Sequence, residues 1–329
     1  MPLPNHQRKR AYNKTPKYIP LNFLRIPYLA QKKIVAQINV FDSIVFSLNC
    51  ERYRQVLLKA KVKSDTLNYQ FTNDHPKILI VEPERFITVL TSTESILQRQ
   101  QPNYRLSGVK TEMEITRAGR GRGPTNSLQV TLKVKDQQEN TALDALKLFT
   151  YHLLEFLVPS KVMVYYNRPY LLNNVLHWNH VPKYHQVEIG HNNAIEGISL
   201  EEKQFLLEEV KMKHLSFQYP NSSEYLVPSL RRWLTGENVE YQVDQVSFST
   251  NMSQYQFTET CRTLDAVPTG FTEEDIISRQ PFFVEQCTRG TQRDVTRERD
   301  GNTVTLIYFR YTVTLLFWNQ ETLKAAGRL

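Results

Sequence analysis

The chain has 329 residues, 40% of them hydrophobic, and a formal net charge of +8. This length is sufficient for two or three domains with cores of their own. No run approaches the ~18 apolar residues of a membrane-spanning helix, and the first thirty residues lack the apolar segment of a signal peptide. We therefore expect a soluble protein of the cytoplasm and/or nucleus with no membrane partner. Three cysteines cannot all pair and form no Cys-x-x-Cys motif, which predicts reduced thiols.

The first part of the chain divides into a tail and a helical unit. Residues 1–19 are rich in Pro, Lys, Arg and Asn without a hydrophobic period, which predicts a disordered basic tail. Its cluster Arg8-Lys9-Arg10 is compatible with a nuclear address, although such clusters are also common in solvated tails. From Ile26 to Ala60 apolar residues recur at helical spacing, interrupted at Asn39 and Cys50, which predicts three short, closely packed helices within residues 20–63.

Residues 65–135 alternate β-branched and polar residues in "KILIVEP", "RFITVL", "KTEMEIT" and "SLQVTLKV", a pattern typical of an antiparallel β meander. The last two strands flank "RAGRGRGPTN", which predicts a hairpin tip rich in glycine.

A helix followed by a short strand is predicted four times in the next segment. The strands begin near Lys161, Gln186, His214 and Gln245 and align on Val162, Val187, Leu215 and Val246. The helices are predicted at 141–157, about 169–178, 200–211 and 228–235, the third with a Ser199/Glu202 capping box and the last ending at Gly236. Such units resemble the arc of a leucine-rich-repeat protein, in which neighbouring repeats must stack to bury their apolar faces.

The C-terminal segment contains "PFFVEQCT", "RDVTRERDGNTVTLIYFR" and "YTVTLLFWN", which predict an antiparallel hairpin set with a turn at Asp300-Gly301. We expect this set to cap the last repeat. The predicted fold class is thus α+β: a three-helix unit, an antiparallel meander and a repeat-like α/β arc closed by a C-terminal β-hairpin.

No catalytic or cofactor motif is recognisable. "GRGRG" at 119–123 lacks the Gly-Lys-Ser/Thr ending of a phosphate loop, and His177, His180 and His185 have no cysteine or carboxylate at ligand spacing. We therefore expect a protein that is not an enzyme, with no catalytic residue, no metal and no cofactor.

Several short motifs follow one another in both halves of the chain, and their order is informative. The first half contains Phe23-Leu24-Arg25-Ile26-Pro27-Tyr28-Leu29, then Ile34-Val35, Phe41-Asp42, Phe46-Ser47-Leu48 and Arg52. The second half contains "SLRRWLTG" at 229–236, "VTRERDGNTVT" at 295–305 and "LLFWN" at 315–319. In this order they resemble the nematode F-box proteins that carry a type 2 F-box-associated domain. Val40 and Glu51 depart from that pattern, which usually has proline and often has lysine at these positions.

The resemblance implies an adaptor of an SCF-type cullin-RING ubiquitin ligase. Residues 20–63 would be the F-box and residues 64–329 the F-box-associated domain, which would capture a protein target of unknown identity. The partners would be a Skp-type linker and its cullin. A unit of about forty residues rarely holds a core alone, and the apolar side chains around the proline exceed what this one can bury. We expect the linker to contact Ile26, Pro27, Leu29, Ile34, Val35, Ile38 and Leu48.

Target contacts are expected from exposed positions between the inward-facing strand residues and from adjoining loops. The candidates are Tyr165, Tyr166, Asn167, Glu188, His191, Gln218 and Tyr219.

Two other interpretations remain open at this point. The three helices could simply cover the open end of the following β domain. Alternatively, the protein could be a basic RNA-binding or scaffold protein that uses its tail and the 117–123 loop with Arg117, Arg120 and Arg122; nucleic acid is the less expected partner. An enzyme built on the repeat surface is the least expected.

Overall fold

A computed structural model describes much of the chain between residues 25 and 328. The described residues are 25–72, 76–82, 85–92, 103–106, 109–117, 127–134, 139–167, 183–190, 199–218, 222–236, 239–279 and 284–328. The predicted basic tail, the helix at about 169–178 and the hairpin tip at 118–126 lie outside them.

Three helices open the described part, as predicted: α1 (Tyr28–Val35), α2 (Val40–Asn49) and α3 (Glu51–Ala60). Pro27 directly precedes α1, and its carbonyl accepts hydrogen bonds from the amides of Ala30 and Gln31. Asn39 caps α2 by accepting a 2.8 Å hydrogen bond from the Asp42 amide. The break between α1 and α2 therefore lies at Asn39, because its side-chain oxygen takes the place of a backbone carbonyl as the hydrogen-bond partner of the Asp42 amide.

Six strands follow: β1 (Val62–Phe71), β2 (Pro76–Glu82), β3 (Arg85–Ser92), β4 (Asn103–Leu106), β5 (Val109–Arg117) and β6 (Ser127–Lys133). The pairs β1–β2, β2–β3, β4–β5 and β5–β6 are antiparallel, but β3 pairs with β6 in parallel. The prediction of a purely antiparallel meander is therefore wrong at this junction. The alternation of side chains shows which face of a strand is buried. It does not show which strand lies next to it, or whether the two strands are parallel or antiparallel.

The middle of the chain forms the parallel part of the sheet. Its elements are α4 (Glu139–Phe156), β7 (Leu157–Tyr166), β8 (Tyr184–Ile189), α5 (Leu200–Glu208), β9 (Met212–Phe217), α6 (Leu226–Thr235) and β10 (Val243–Ser249). The described helices confirm three of the four predicted ones, and Gly236 follows α6 as predicted. Strands β1, β7, β8, β9 and β10 are parallel neighbours in chain order.

The register of β7 differs from the predicted alignment by two residues. Val164, not Val162, is level with Val187, and Val187 is level with Leu215. Because successive side chains on a strand point to opposite faces, a slip of two preserves the buried face. The sequence pattern therefore cannot distinguish the two registers.

The C-terminal part contains α7 (Gln254–Thr263), β11 (Val267–Pro268), α8 (Glu273–Arg279), α9 (Val284–Arg289), β12 (Thr291–Thr296), β13 (Thr303–Phe309), β14 (Thr312–Trp318) and α10 (Gln320–Ala325). The predicted hairpins β12–β13 and β13–β14 are antiparallel, and Gly301 adopts φ +71° at the first turn. The prediction of a strand in "PFFVEQCT" is wrong for residues 284–288, which belong to α9. An ion pair between Glu285 and Arg289, four residues apart, supports that helix.

All strands of the described residues join one mixed sheet, so the fold is mixed α/β. The strand order is β11-β12-β13-β14-β10-β9-β8-β7-β1-β2-β3-β6-β5-β4. The C-terminal hairpins extend the sheet beyond the parallel strands, because β14 pairs antiparallel with β10. One continuous core contains residues from the N-terminal helices, the meander strands and the parallel strands, among them Ile44, Ile80 and Leu215.

Candidate protein-binding surfaces

The N-terminal helices are fixed to α4 by polar contacts as well as by the shared core. Ser47 on α2 lies with its Oγ 2.9 Å from Nε2 of buried His152 on α4. Arg54 on α3 donates from Nε to Glu155 Oε2 at 3.0 Å, and the Lys61 ammonium donates to the Glu155 carbonyl at 2.7 Å. The inner side of the three helices is therefore already occupied by the rest of this chain.

The predicted linker-binding residues separate into two groups in the structure. Val35 and Leu48 are only 3% and 5% exposed, and Ile38 packs against the same core. The expectation that all seven residues are spare apolar surface is therefore wrong for Val35 and Leu48. It failed because helical spacing identifies an apolar stripe without saying whether the chain itself covers that stripe.

The other predicted residues point outward. Leu29 is 73% and Ile34 is 36% exposed, Pro27 is exposed and Ile26 is partly exposed. Sequence reasoning missed Tyr28 and Phe46 as candidates, although both stand in the quoted motifs; they are 42% and 39% exposed. We call Tyr28, Leu29, Ile34 and Phe46 the exposed apolar set of the N-terminal helices.

A second candidate surface lies at the carboxyl ends of β7, β8 and β9. Tyr165 and Glu188 are level with each other on neighbouring strands and point to the same face of the sheet. Asn167 and Gln218 follow the ends of β7 and β9, so four of the seven predicted target residues lie at one edge. We call Tyr165, Asn167, Glu188 and Gln218 the carboxyl-edge residues.

Gly190 permits the close packing at this edge. A Cβ at position 190 would lie 2.5 Å from the Tyr165 Oη and 3.2 Å from the Asn167 Oδ1. The phenol therefore lies directly against the β8 backbone. The Asn167 Oδ1 is buried and has no hydrogen-bond partner among the described residues, so this edge contains an acceptor that a bound polar group could satisfy.

The electrostatics of the carboxyl edge are set mainly by partial burial. Desolvation raises the pKa of Glu188, and a hydrogen bond from Gln186 opposes that shift. Burial and the charge of Glu188 both raise the pKa of Tyr165. The phenol is therefore a neutral hydrogen-bond donor next to a carboxylate acceptor, a combination suited to binding backbone or polar side chains.

Tyr166 does not belong to this surface. It is fully buried on the opposite face of β7, where its ring stacks on Phe71 with centroids 5.1 Å apart. The prediction that Tyr166 is an exposed contact residue is therefore wrong, because only alternate strand positions face one side of a sheet. His191 and Tyr219 lie outside the described residues.

Replacing Gly190 with alanine should displace the Tyr165 phenol. The added methyl overlaps the ring end, which can rotate away, so we expect little loss of stability but greater access to the phenol. Nitration by tetranitromethane, quantified by mass spectrometry, should increase at Tyr165 and stay unchanged at Tyr255. Gly270→Ala is the control, since its Cβ would meet nothing closer than 3.7 Å. Unchanged nitration of Tyr165 in Gly190→Ala would contradict the packing described.

The remaining sequence candidates form no further site in the described part of the chain. Arg117 ends β5, whereas Arg120 and Arg122 lie outside the described residues, as do His177 and His180. Within the described ranges, no group of three or more His, Cys, Asp or Glu side chains is arranged to hold a metal ion. Across those same ranges no helix combines the length and hydrophobicity needed to cross a membrane.

No protein-family model matches the sequence, and comparisons with curated proteins and with solved structures return no similar protein for this chain.

Proposed function

We propose that this protein is a non-catalytic substrate-recognition adaptor of an SCF-type cullin-RING ubiquitin ligase, acting in the cytoplasm or nucleus. Residues 20–63 would be an F-box that docks on a Skp-type linker, and the rest of the chain would hold a target protein. Such an adaptor contributes proximity: it raises the concentration of the target near the charged ubiquitin-conjugating enzyme.

The observation that carries the proposal is the exposed apolar set of the N-terminal helices. These helices already bury Val35, Ile44 and Leu48 in the shared core, yet Leu29 remains 73% exposed on the outer side. Burying such a side chain at an interface is worth ~1.5–3 kcal/mol. Tyr28 and Phe46 add aromatic surface, which is enriched at the energetic centres of interfaces.

The parallel strands support the second half of the proposal. Strands β7, β8, β9 and β10 are neighbours in chain order, and described helices precede three of them, which is the succession that a leucine-rich-repeat-like arc would require. We interpret the carboxyl-edge residues as the part of this arc that contacts the target. Polar side chains at the ends of strands suit that role because they can vary without disturbing the core.

Leu29→Asp combined with Ile34→Asp should abolish co-purification with the linker and cullin from cells while leaving the fold intact. Both side chains are exposed, so a carboxylate is solvated in the free protein and costly only at an interface. Ile26 is less suitable because it is partly buried and its carbonyl accepts from Gln31 Nε2 at 2.9 Å.

The matched control is Tyr255→Asp with Tyr311→Asp, which changes two tyrosines that are 72% and 73% exposed outside the N-terminal helices. The control should retain the linker. Equal loss in both variants, or absence of linker and cullin from the parental protein, would contradict the proposal. Unfolding of the Leu29/Ile34 variant, seen by circular dichroism, would instead favour the alternative interpretation, in which the three helices only cover the end of the β domain.

A further inference from the structure

A cleft lies at the amino edge of the parallel strands, opposite to the carboxyl-edge residues. Its volume is about 190 Å³, and it is lined by residues that precede or begin β8, β9 and β10, by the end of β14 and by Trp233 of α6. This is smaller than the ~300–1,000 Å³ of typical small-molecule sites. It therefore suits a single inserted side chain better than a cofactor.

The apolar part of the cleft is an aromatic group. The Trp233 and Phe317 rings are 5.6 Å apart, and the Tyr241 and Phe317 rings are 5.5 Å apart, both edge to face. The Tyr241 hydroxyl is already engaged, because it donates to the Ser229 carbonyl at 2.6 Å. The tyrosine is thus held by its hydroxyl and contributes its ring to the cleft.

The rim of the same cleft is basic. Lys183 and Lys211 line it, and both are exposed. Lys213 lies two residues further along β9, level with His185 on the neighbouring strand. Burial lowers the pKa of His185, and the charges of Lys213, Lys161 and Lys183 lower it further.

The acidic residues near the cleft are largely neutralised. Asp244 pairs with Lys183 at 3.3 Å, and Glu240 is held by Arg297 at 2.8 Å and by Arg299 at 2.6 Å. In contrast, among the ion pairs between described residues none involves Lys211 or Lys213, and both lysines are exposed. Lys211 on the rim and Lys213 beside it therefore add positive charge next to the aromatic group.

We propose that this amino-edge cleft binds an acidic peptide segment of a partner protein, with one apolar side chain of the segment inserted into the cleft against the aromatic group of Trp233, Tyr241 and Phe317. The lysines of the rim attract its carboxylates or phosphates. An extended nucleic acid fits less well, because the positive charge is confined to a rim around a pocket for one side chain, whereas a single strand needs a charged groove with several stacking platforms. This site does not depend on the proposed adaptor function.

The test uses the full-length protein and pools of fluorescein-labelled nonapeptides in anisotropy titrations at low salt. One pool has a central phenylalanine flanked by Asp and Glu, a second has a central glycine with the same flanks, and a third has a central phenylalanine flanked by Lys and Arg. A single-stranded RNA 20-mer is the fourth probe. We expect the acidic phenylalanine pool to bind more tightly than the other three, with affinity that falls as salt rises.

Lys211→Glu with Lys213→Glu should weaken that binding at least tenfold. The control, Lys32→Glu with Lys33→Glu, makes the same change in net charge on exposed lysines of α1 and should bind as the parental protein does. In lysine acetylation mapped by mass spectrometry, the acidic pool should protect Lys211 and Lys213 but not Lys324.

Four binding results would overturn the proposal: equal binding of the glycine-centred pool, tighter binding of the RNA, no binding of the acidic pools, or equal loss of binding in both charge-reversal variants. Dimerisation of the parental protein that is lost in the Lys211/Lys213 variant would also overturn it, because the occupant would then be a second copy of the chain. Circular dichroism of each variant establishes that lost binding is not lost folding.

Discussion

Replacing Arg297 with alanine should lower the free energy of unfolding by about 3 kcal/mol, because it leaves a cavity and removes the charge-assisted hydrogen bonds of a fully buried guanidinium. The Arg297 side chain is fully buried between β12 and β13. It contacts Glu240 at 2.8 Å and Asp300 at 2.6 Å, and donates to the Val239 carbonyl at 2.8 Å. Its guanidinium also lies 4.6 Å from the centre of the Trp233 ring. Urea denaturation followed by circular dichroism measures the loss.

Arg310→Ala provides the matched control within the same set of hairpins. Arg310 is 66% exposed and pairs with Glu285 at 3.1 Å. Exposed ion pairs of this kind are worth up to about 1 kcal/mol, so the control should change stability little. If both variants lost the same free energy, the buried arginine would not be the element that joins the C-terminal hairpins to α6.

Lowering the pH from 6.5 to 5 should destabilise the protein by about 1–2 kcal/mol for each of two histidines, the buried His152 and the partly buried His214. Burial lowers the pKa of His152 to about 4, with a further contribution from Arg54. It likewise lowers the pKa of His214 to about 4, aided by the charge of His185. Between pH 4 and 6.5 the unfolded chain therefore binds more protons than the folded one, so stability falls as pH falls through this window.

His152→Asn and His214→Gln should each flatten this pH dependence by about half. The informative quantity is the slope of unfolding free energy against pH, since either substitution also changes stability at neutral pH. His152 lies 2.9 Å from Ser47 and His214 lies 3.1 Å from Ser247, so the two variants report on the helix junction and on the sheet separately. If the parental protein were equally stable at pH 6.5 and pH 5, protonation of the two imidazoles would not lower the free energy of unfolding, which would contradict this prediction.

The sequence predicts local structure well where one residue decides it. Asn39 ends one helical period and caps the next helix, and Asp300-Gly301 makes a hairpin turn because glycine adopts positive φ without a steric penalty. The parallel pairing of β3 with β6 could not be predicted in this way. It depends on the path of the chain between the end of β3 and the start of β6, and the alternation of side chains along a strand contains no information about that path.

Burial at the candidate surfaces was the least predictable property. Leu29 and Val35 belong to the same apolar run, yet one is 73% and the other 3% exposed. The difference arises because the inner side of α1 faces the shared core while Leu29 points away from it. The exposure of the carboxyl-edge residues is easier to predict, because the alternation of side chains along a strand assigns Tyr165 and Glu188 to one face of the sheet. The amino-edge cleft was missed because its lining comes from separate parts of the chain.

The central position of β1 has a consequence for synthesis of the chain. One edge of β1 pairs antiparallel with β2, the next strand in the chain. Its other edge pairs with β7, where Leu67 is level with Val162, 95 positions later in the sequence. During translation, β1 and β2 can pair early while that second edge has no partner until residues 157–166 leave the ribosome. An unpaired strand edge is a template for aggregation. Chaperones should therefore contact β1 of nascent chains in this interval and should leave β1 when β7 is added.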